Sequence, residues 1–136
     1  MIQMNIYEEF AHWLDDLLEN NDMPENTAAF NFNLYEESAE ENLYSIQLVA
    51  AGGFDPDDSE GNWACDEIWS CGEDIFTVDI SDEDSTEKDH AFELFREMCE
   101  EYLENGKYKD ILLSSQGIGV GFVDGDIDLI YKAEKE

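Results

Sequence analysis

The sequence has very little positive charge. Six Lys and Arg stand against 36 Asp and Glu, for a formal net charge of −30. All six bases (Lys88, Arg96, Lys107, Lys109, Lys132 and Lys135) lie at or after position 88. Residues 1–87 hold 24 carboxylates and no Lys or Arg, whereas residues 88–136 hold 12 carboxylates and six bases. A field of this sign repels nucleic-acid phosphates and anionic membrane surfaces, so neither is expected as a partner. It attracts basic proteins and cations, and such steering raises association rates to about 10⁸–10⁹ M⁻¹s⁻¹ at low salt. Solubility alone does not call for it: a net charge of magnitude about 2–8 suffices for a small domain. The surplus repels itself and destabilises the compact state.

Other scarcities exclude further classes. Three cysteines (Cys65, Cys71 and Cys99) are an odd number and argue against a disulfide framework. A reducing cytosol is the simplest setting, and the expected localisation is cytoplasmic. No apolar stretch approaches the roughly 18 residues of a transmembrane helix, and Met1-Ile-Gln-Met-Asn5 carries no positive n-region of a secretory signal. Aromatic residues, by contrast, are plentiful: eight Phe, six Tyr and three Trp within a 43% hydrophobic chain. An acidic disordered chain would be poor in these residues. At 136 residues a single domain over 1–136 is expected.

The periodicities assign the elements. Ile6, Phe10, Trp13, Leu14, Leu17 and Leu18 recur at helical spacing and predict a helix over Asn5–Leu18, capped by Asn5 with Glu8. Residues 29–35 alternate, with Phe30, Phe32 and Leu34 on one side, and residues 42–50 alternate with Tyr44, Ile46 and Leu48. The polar link 36–41 suits a hairpin, and Gly52-Gly53 stops the second strand. A short strand is expected over Ile75–Ile80. A second helix over 85–104 buries Phe92, Phe95, Met98, Cys99 and Tyr102; Asp84 or Thr86 caps it, and Asn105-Gly106 reads as a left-handed stop. Residues 118–131 read as a hairpin around Asp124-Gly125, whose two-residue loop would pair Phe122 with Ile127, Val120 with Leu129 and Ile118 with Tyr131. Together these predict an α+β fold: an antiparallel sheet of about six strands with two amphipathic helices packed on it.

No motif carries catalytic chemistry, and the expected catalytic, metal and cofactor sets are all empty. Asp55, Asp57 and Ser59 repeat the first donors of a calcium loop, but Glu60 stands where the turn requires Gly, and Asp66 stands where a bidentate Glu is needed. Asp124, Asp126 and Asp128 have the same spacing inside a hairpin. Both read as solvated turns rather than calcium sites, with weak, non-specific cation binding expected alongside. Cys65 and Cys71 lack a Cys-x-x-Cys partner pair, and His12 and His90 lie on different helices. Gly117, Gly119 and Gly121 alternate along a strand and leave room for close packing of a neighbouring element.

The most informative segment is Trp63-Ala-Cys-Asp-Glu-Ile-Trp69. Were it extended, Trp63, Cys65, Glu67 and Trp69 would share one face. A carboxylate between two indoles is costly to bury unpaired, so Glu67 reaches solvent, pairs with Arg96 or a lysine, or awaits an external cation. Two readings stand side by side: tryptophans in the core with Glu67 at an edge, or an aromatic and acidic hot spot that selects Arg and Lys.

The Phe54-Asp-Pro-Asp-Asp loop and the Trp63–Trp69 segment, following an aromatic strand pair, give the chain a resemblance to the immunity proteins with which bacteria neutralise secreted polymorphic toxins. The likeness is one of type and transfers no family binding residue. It implies a small cytoplasmic acidic α+β protein that covers the active site of a basic, nuclease-like toxin. The charge and aromatic pattern of the residues themselves, not the resemblance, gives the expected partner-binding residues: Asp55, Asp57, Asp58, Glu60, Trp63, Asp66, Glu67 and Trp69. A nucleic-acid mimic that occupies basic DNA-binding proteins is the alternative, and a calcium-responsive module is a third.

Overall fold

The computed structural model describes residues 4–21, 23–38, 40, 43–55, 57, 63, 66–72, 75–79, 88–122 and 127–132. Helix α1 spans Met4–Asn20, followed by strands β1 (Ala29–Ser38), β2 (Leu43–Ala51), β3 (Glu67–Ser70) and β4 (Phe76–Asp79). Helix α2 (Lys88–Asn105), a short α3 (Lys109–Leu113), β5 (Gly117–Phe122) and β6 (Asp128–Lys132) complete the order. The six strands form one sheet in the order β3-β2-β1-β5-β6, with β4 also pairing β2. All pairings are antiparallel except that of β1 with β5. The fold is therefore α+β as the periodicities predict, with one parallel pair at the centre of the sheet.

The helices pack on one face. Phe10, Leu14, Leu17 and Leu18 of α1 and Leu94, Phe95, Met98, Cys99 and Tyr102 of α2 are buried against Phe30, Phe32, Leu34, Ile46, Leu48, Ile118 and Val120. Phe92, placed in the buried stripe by periodicity, is only partly covered; its ring meets Phe122 at 6.5 Å. Cys99 is 1% exposed, and burial pushes its thiol well above the ordinary range, so it is held as an inert apolar group. Helix α1 already runs from Met4, which places Asn5 inside its first turn. Its far end is closed by the side chains of Asn20 and Asn21, which donate to the carbonyls of Asp16 (2.9 Å) and Leu17 (3.0 Å). The caps assigned to Asp84 and Thr86 lie outside the described residues.

Two local expectations are corrected. Gly106 does not adopt a left-handed conformation; among the described glycines only Gly72 does, at φ 62°. Glycine is needed at 106 because a Cβ would meet the Tyr102 carbonyl oxygen at 2.5 Å and its ring at 2.6 Å. In the last hairpin the predicted pairing of Ile118 with Tyr131 holds, but a register shift between Ile118 and Gly119 sets Gly119 opposite Leu129 and Val120 opposite Asp128. Asp128 then takes Arg96 of α2 at 2.9 Å, and Leu129 turns to the other face of the sheet. The predicted pairing of Phe122 with Ile127 fails for the same reason, since Phe122 packs on the main core and Ile127 on the opposite face; the Asp124-Gly125 turn lies outside the described residues.

One buried polar link ties the helical layer together. The Tyr102 hydroxyl donates to the Asp15 carboxylate at 2.6 Å and accepts the Tyr108 backbone N–H at 3.2 Å, joining both long helices to the turn before α3. Burial, and then the bond to Asp15, raise the Tyr102 hydroxyl well above its ordinary 10.0. The protonated form is the one the fold favours, so this contribution is complete below pH 10.0 and is lost as the pH rises above it. Tyr102→Phe is expected to lower unfolding free energy by about 1–3 kcal/mol in urea denaturation at neutral pH, as for loss of a hydrogen bond to a charged group. The same variant should show a shallower fall of stability above pH 10.0 than the parent protein.

Candidate partner-binding surface

The second face of the sheet begins with a deficit. Gly117 and Gly119 of β5 present no side chain there, and a bare backbone inside a fold must be covered. Phe54, from the segment after β2, and Trp63 supply that cover with Ile127 and Leu129, forming a second small core on Ala29 and Ala51. The fit leaves no room for a methyl group. A Cβ at Gly117 would lie 2.2 Å from the Phe54 ring, and one at Gly119 would lie 2.4 Å from Ile127 Cγ2 and 2.8 Å from Asn31 Oδ1. Phe54 and Trp63 meet edge-on with centroids 5.0 Å apart. The room-for-packing reading of the glycines is thus met by two aromatic rings and one isoleucine.

These rings decide where the expected binding residues stand. Trp63 is 7% exposed and is an anchor of the second core, so it presents almost no area to a partner. That corrects its assignment as a contact residue. Trp69 is half-buried: it pairs with Ala50 and packs against the main core. Glu67 does not share its face, because a register shift between Ala50 and Ala51 sets Glu67 opposite Ala51, which belongs to the second core. The extended-segment expectation fails at this bulge. Glu67 is exposed, and Arg96 is engaged elsewhere, with Glu100 and Asp128, both at 2.9 Å.

Asp55, Asp57 and Asp66 are exposed. Asp55 follows the Phe54 anchor directly, and its Oδ1 accepts the Asp57 backbone N–H at 3.0 Å. Asp66 is tied at its backbone, accepting from Gly52 N at 2.9 Å and donating to Trp63 O at 3.2 Å. Its carboxylate lies over Gly52, where a Cβ would be 3.1 Å from Oδ2. The structure therefore brings Asp55, Asp57, Asp66 and Glu67 to the end of the sheet at which β2 stops and β3 starts. Asp58 and Glu60 lie outside the described residues. Among the described residues, no group of three or more His, Cys, Asp and Glu is arranged to hold a metal ion, and no helix is long and apolar enough to cross a membrane.

The rest of this face carries polar side chains that no motif marks. Asn31 Nδ2 donates to Asn33 Oδ1 at 2.6 Å, Asn33 Nδ2 to Gln47 Oε1 at 3.4 Å, and Gln47 Nε2 to the Gly72 carbonyl at 2.9 Å. The Tyr35 hydroxyl donates to Gln47 Oε1 at 2.9 Å, and Ser45 Oγ to Glu37 Oε1 at 2.7 Å. Burial raises the Tyr35 hydroxyl; a hydrogen bond with Asn33 opposes the rise, and the charges of Glu67, Cys71 and Glu37 add to it. Alternation in residues 29–37 could have marked this row, since Asn31, Asn33, Tyr35 and Glu37 are the partners of Phe30, Phe32 and Leu34 across the pleat.

The glycine face makes a sharp stability prediction. Gly119→Ala should cost about 1–3 kcal/mol, the usual range for overpacking a filled core. Gly53→Ala, whose Cβ would meet only Asp66 Oδ2 at 3.5 Å, should cost much less. Urea midpoints of the two variants against the parent protein check the order. No protein-family model, curated protein or solved structure matches the chain at a significant level.

Proposed function

We propose that the chain is a cytoplasmic acidic binding protein that neutralises a basic partner, as an immunity protein does when it covers the active site of a nuclease-like toxin. On this reading it binds and does not catalyse, and its carboxylates stand where the phosphates of the partner's own ligand would lie. The observation that carries the reading is the anchoring of the acidic segment. Phe54 and Trp63 are locked over Gly117 and Gly119, while Asp55, Asp57 and Asp66 beside them point to solvent. Carboxylates on a segment pinned at two aromatic anchors lose less freedom on binding than the same groups on a loose tail. No Lys or Arg occurs before position 88 to neutralise them from within this half of the chain. Asp58 and Glu60, in the same segment of sequence, add to its charge.

The test is retention. With the protein immobilised and lysate of its source organism passed over it, one basic protein should resist elution above about 0.5 M salt, where screening leaves only close contacts. A broad set of basic proteins leaving together at low salt would sink this reading in favour of a general nucleic-acid mimic. With the retained protein in hand, Asp55→Lys with Asp57→Lys should slow association about tenfold at low salt and much less at high salt, since rim charges act mainly on the on-rate. Stopped-flow or surface-based kinetics at two ionic strengths measure it, and unchanged rates would remove these residues from the site.

A further inference from the structure

Resting on that reading, we infer that the outer edge of β4, beside the Trp13–Phe76 ring pair, takes an extended, Lys- or Arg-bearing segment of the basic partner as an added strand. The sheet ends on this side in β3 and β4, which follow one another along β2, and on the other side in β6. An open strand edge invites pairing, and natural sheets blunt such edges with bulges, among other devices. Strands β3 and β6 each carry one. Ala51 and Ala50 face Glu67 and Trp69, which leaves Ile68 unmatched, and Ile118 and Gly119 face Tyr131 and Leu129, which leaves Ile130 unmatched. Strand β4 has no such guard. Phe76, Thr77, Val78 and Asp79 pair with Ile46, Ser45, Tyr44 and Leu43 in unbroken register, and among the described residues no strand pairs with the far side of β4.

The side chains around this edge say what kind of strand fits. On the helical side Phe76 and Trp13 of α1 are both half-buried, with ring centroids 6.0 Å apart. Phe10, fully buried, meets both rings at 5.9 and 5.8 Å, so the pair stands on a filled core. On the other side of the sheet Thr77 and Asp79 are exposed. Alternate side chains of an added strand therefore meet either the two rings or the Thr77–Asp79 side. Charge decides between occupants. In sequence β4 lies between Glu73-Asp74 and Asp82-Glu83-Asp84, and no Lys or Arg precedes position 88. A second copy of the chain would set this acidic stretch against itself, whereas a cationic strand brings the missing sign. The segment that fits alternates apolar with cationic residues; its main chain supplies affinity and its side chains selectivity. Strand β3, next along the same edge, starts at the exposed Glu67 beside Asp66, so a partner on the acidic segment has β4 in line with it.

The probe is a peptide of about ten residues that alternates Lys with Val, added at about 0.15 M salt to the isotopically labelled full chain and followed by NMR. A twin peptide, N-methylated at every peptide bond, keeps the charges and loses the main-chain donors. Shift changes and slowed amide exchange are expected at Phe76–Asp79, with a shift of the Trp13 indole N–H. The twin should bind about fivefold more weakly or worse. Thr77→Lys, at an exposed position on the edge, should weaken the parent peptide about threefold or more. Glu97→Lys, a larger change of charge on the exposed side of α2, should alter it less than about twofold. The twin peptide leaves the protein unaltered, so the decision does not hang on the folding of Thr77→Lys. Equal binding of the two peptides, shifts centred on Asp55, Asp57 and Asp66, or no binding would each overturn the added strand. A dimer of the chain alone in light scattering, with protected β4 amides, would overturn the choice of occupant. In every case salt-resistant retention of a basic protein decides the broader reading separately.

Discussion

The contact between two aromatic rings and a strand without side chains underlies most of what is distinctive here. Strand β5 lies beside β1 in the middle of the sheet, and its glycines leave one side of that strand as exposed backbone. The chain covers it with Phe54 and Trp63, taken from the segment that joins β2 to β3, with Ile127 just before β6 and with Leu129 of β6 itself. This choice has a consequence beyond packing. The covering segment is also among the most acidic in the sequence, and of its carboxylates Asp55, Asp57 and Asp66 stand exposed beside the two seated rings. Packing and charge are coupled at one place.

The same arrangement divides labour between the two faces of the sheet. One is closed by α1 and α2 over a continuous apolar layer, with Tyr102 and Asp15 as its buried polar tie. That layer must hold the fold against the self-repulsion of a −30 chain, and it is built from large side chains that make many dispersion contacts. Among the described residues, the second small core covers one end of the other face. Beyond it lie Asn33, Tyr35 and Gln47, half-exposed and joined by hydrogen bonds rather than by apolar contact. A polar sheet face of this kind tolerates water and can also exchange it for a polar partner.

The helices, the first two strands and the faces they bury are legible in the sequence because long, strongly periodic segments leave little ambiguity: Phe10, Leu14 and Leu17 at helical spacing, Phe30, Phe32 and Leu34 at strand spacing. Two of the departures come from single-residue events. A bulge between Ala50 and Ala51 separates Glu67 from Trp69, and another between Ile118 and Gly119 sends Leu129 to the glycine face. Because strand side chains alternate with period two, one extra residue moves a side chain across the sheet. No local pattern in the sequence announces either bulge. The parallel pairing of β1 and β5 is equally invisible, since it joins segments more than 80 residues apart through contacts that neither encodes alone.

Tryptophan 63 shows why a residue type is a weaker guide than its surroundings. In sequence it stands among Asp and Glu, and an indole amid carboxylates reads as a contact for a basic partner. In the fold it is 7% exposed, because glycines far along the chain leave room on the sheet that its ring fills together with Phe54 and Ile127. Its contribution to any binding is indirect: its carbonyl accepts the Asp66 N–H at 3.2 Å, and its ring packs edge-on against Phe54, next to Asp55. The aromatic group that does stand half-exposed among carboxylates is Tyr35, whose hydroxyl lies under the influence of Glu37 and Glu67. It was hidden in the sequence by its place in a regular strand, where every second residue is easily taken for mere solvent cover. Trp63 thus serves the acidic surface as a support rather than as a contact, while Tyr35 stands on β1, two strands from Trp69 on β3.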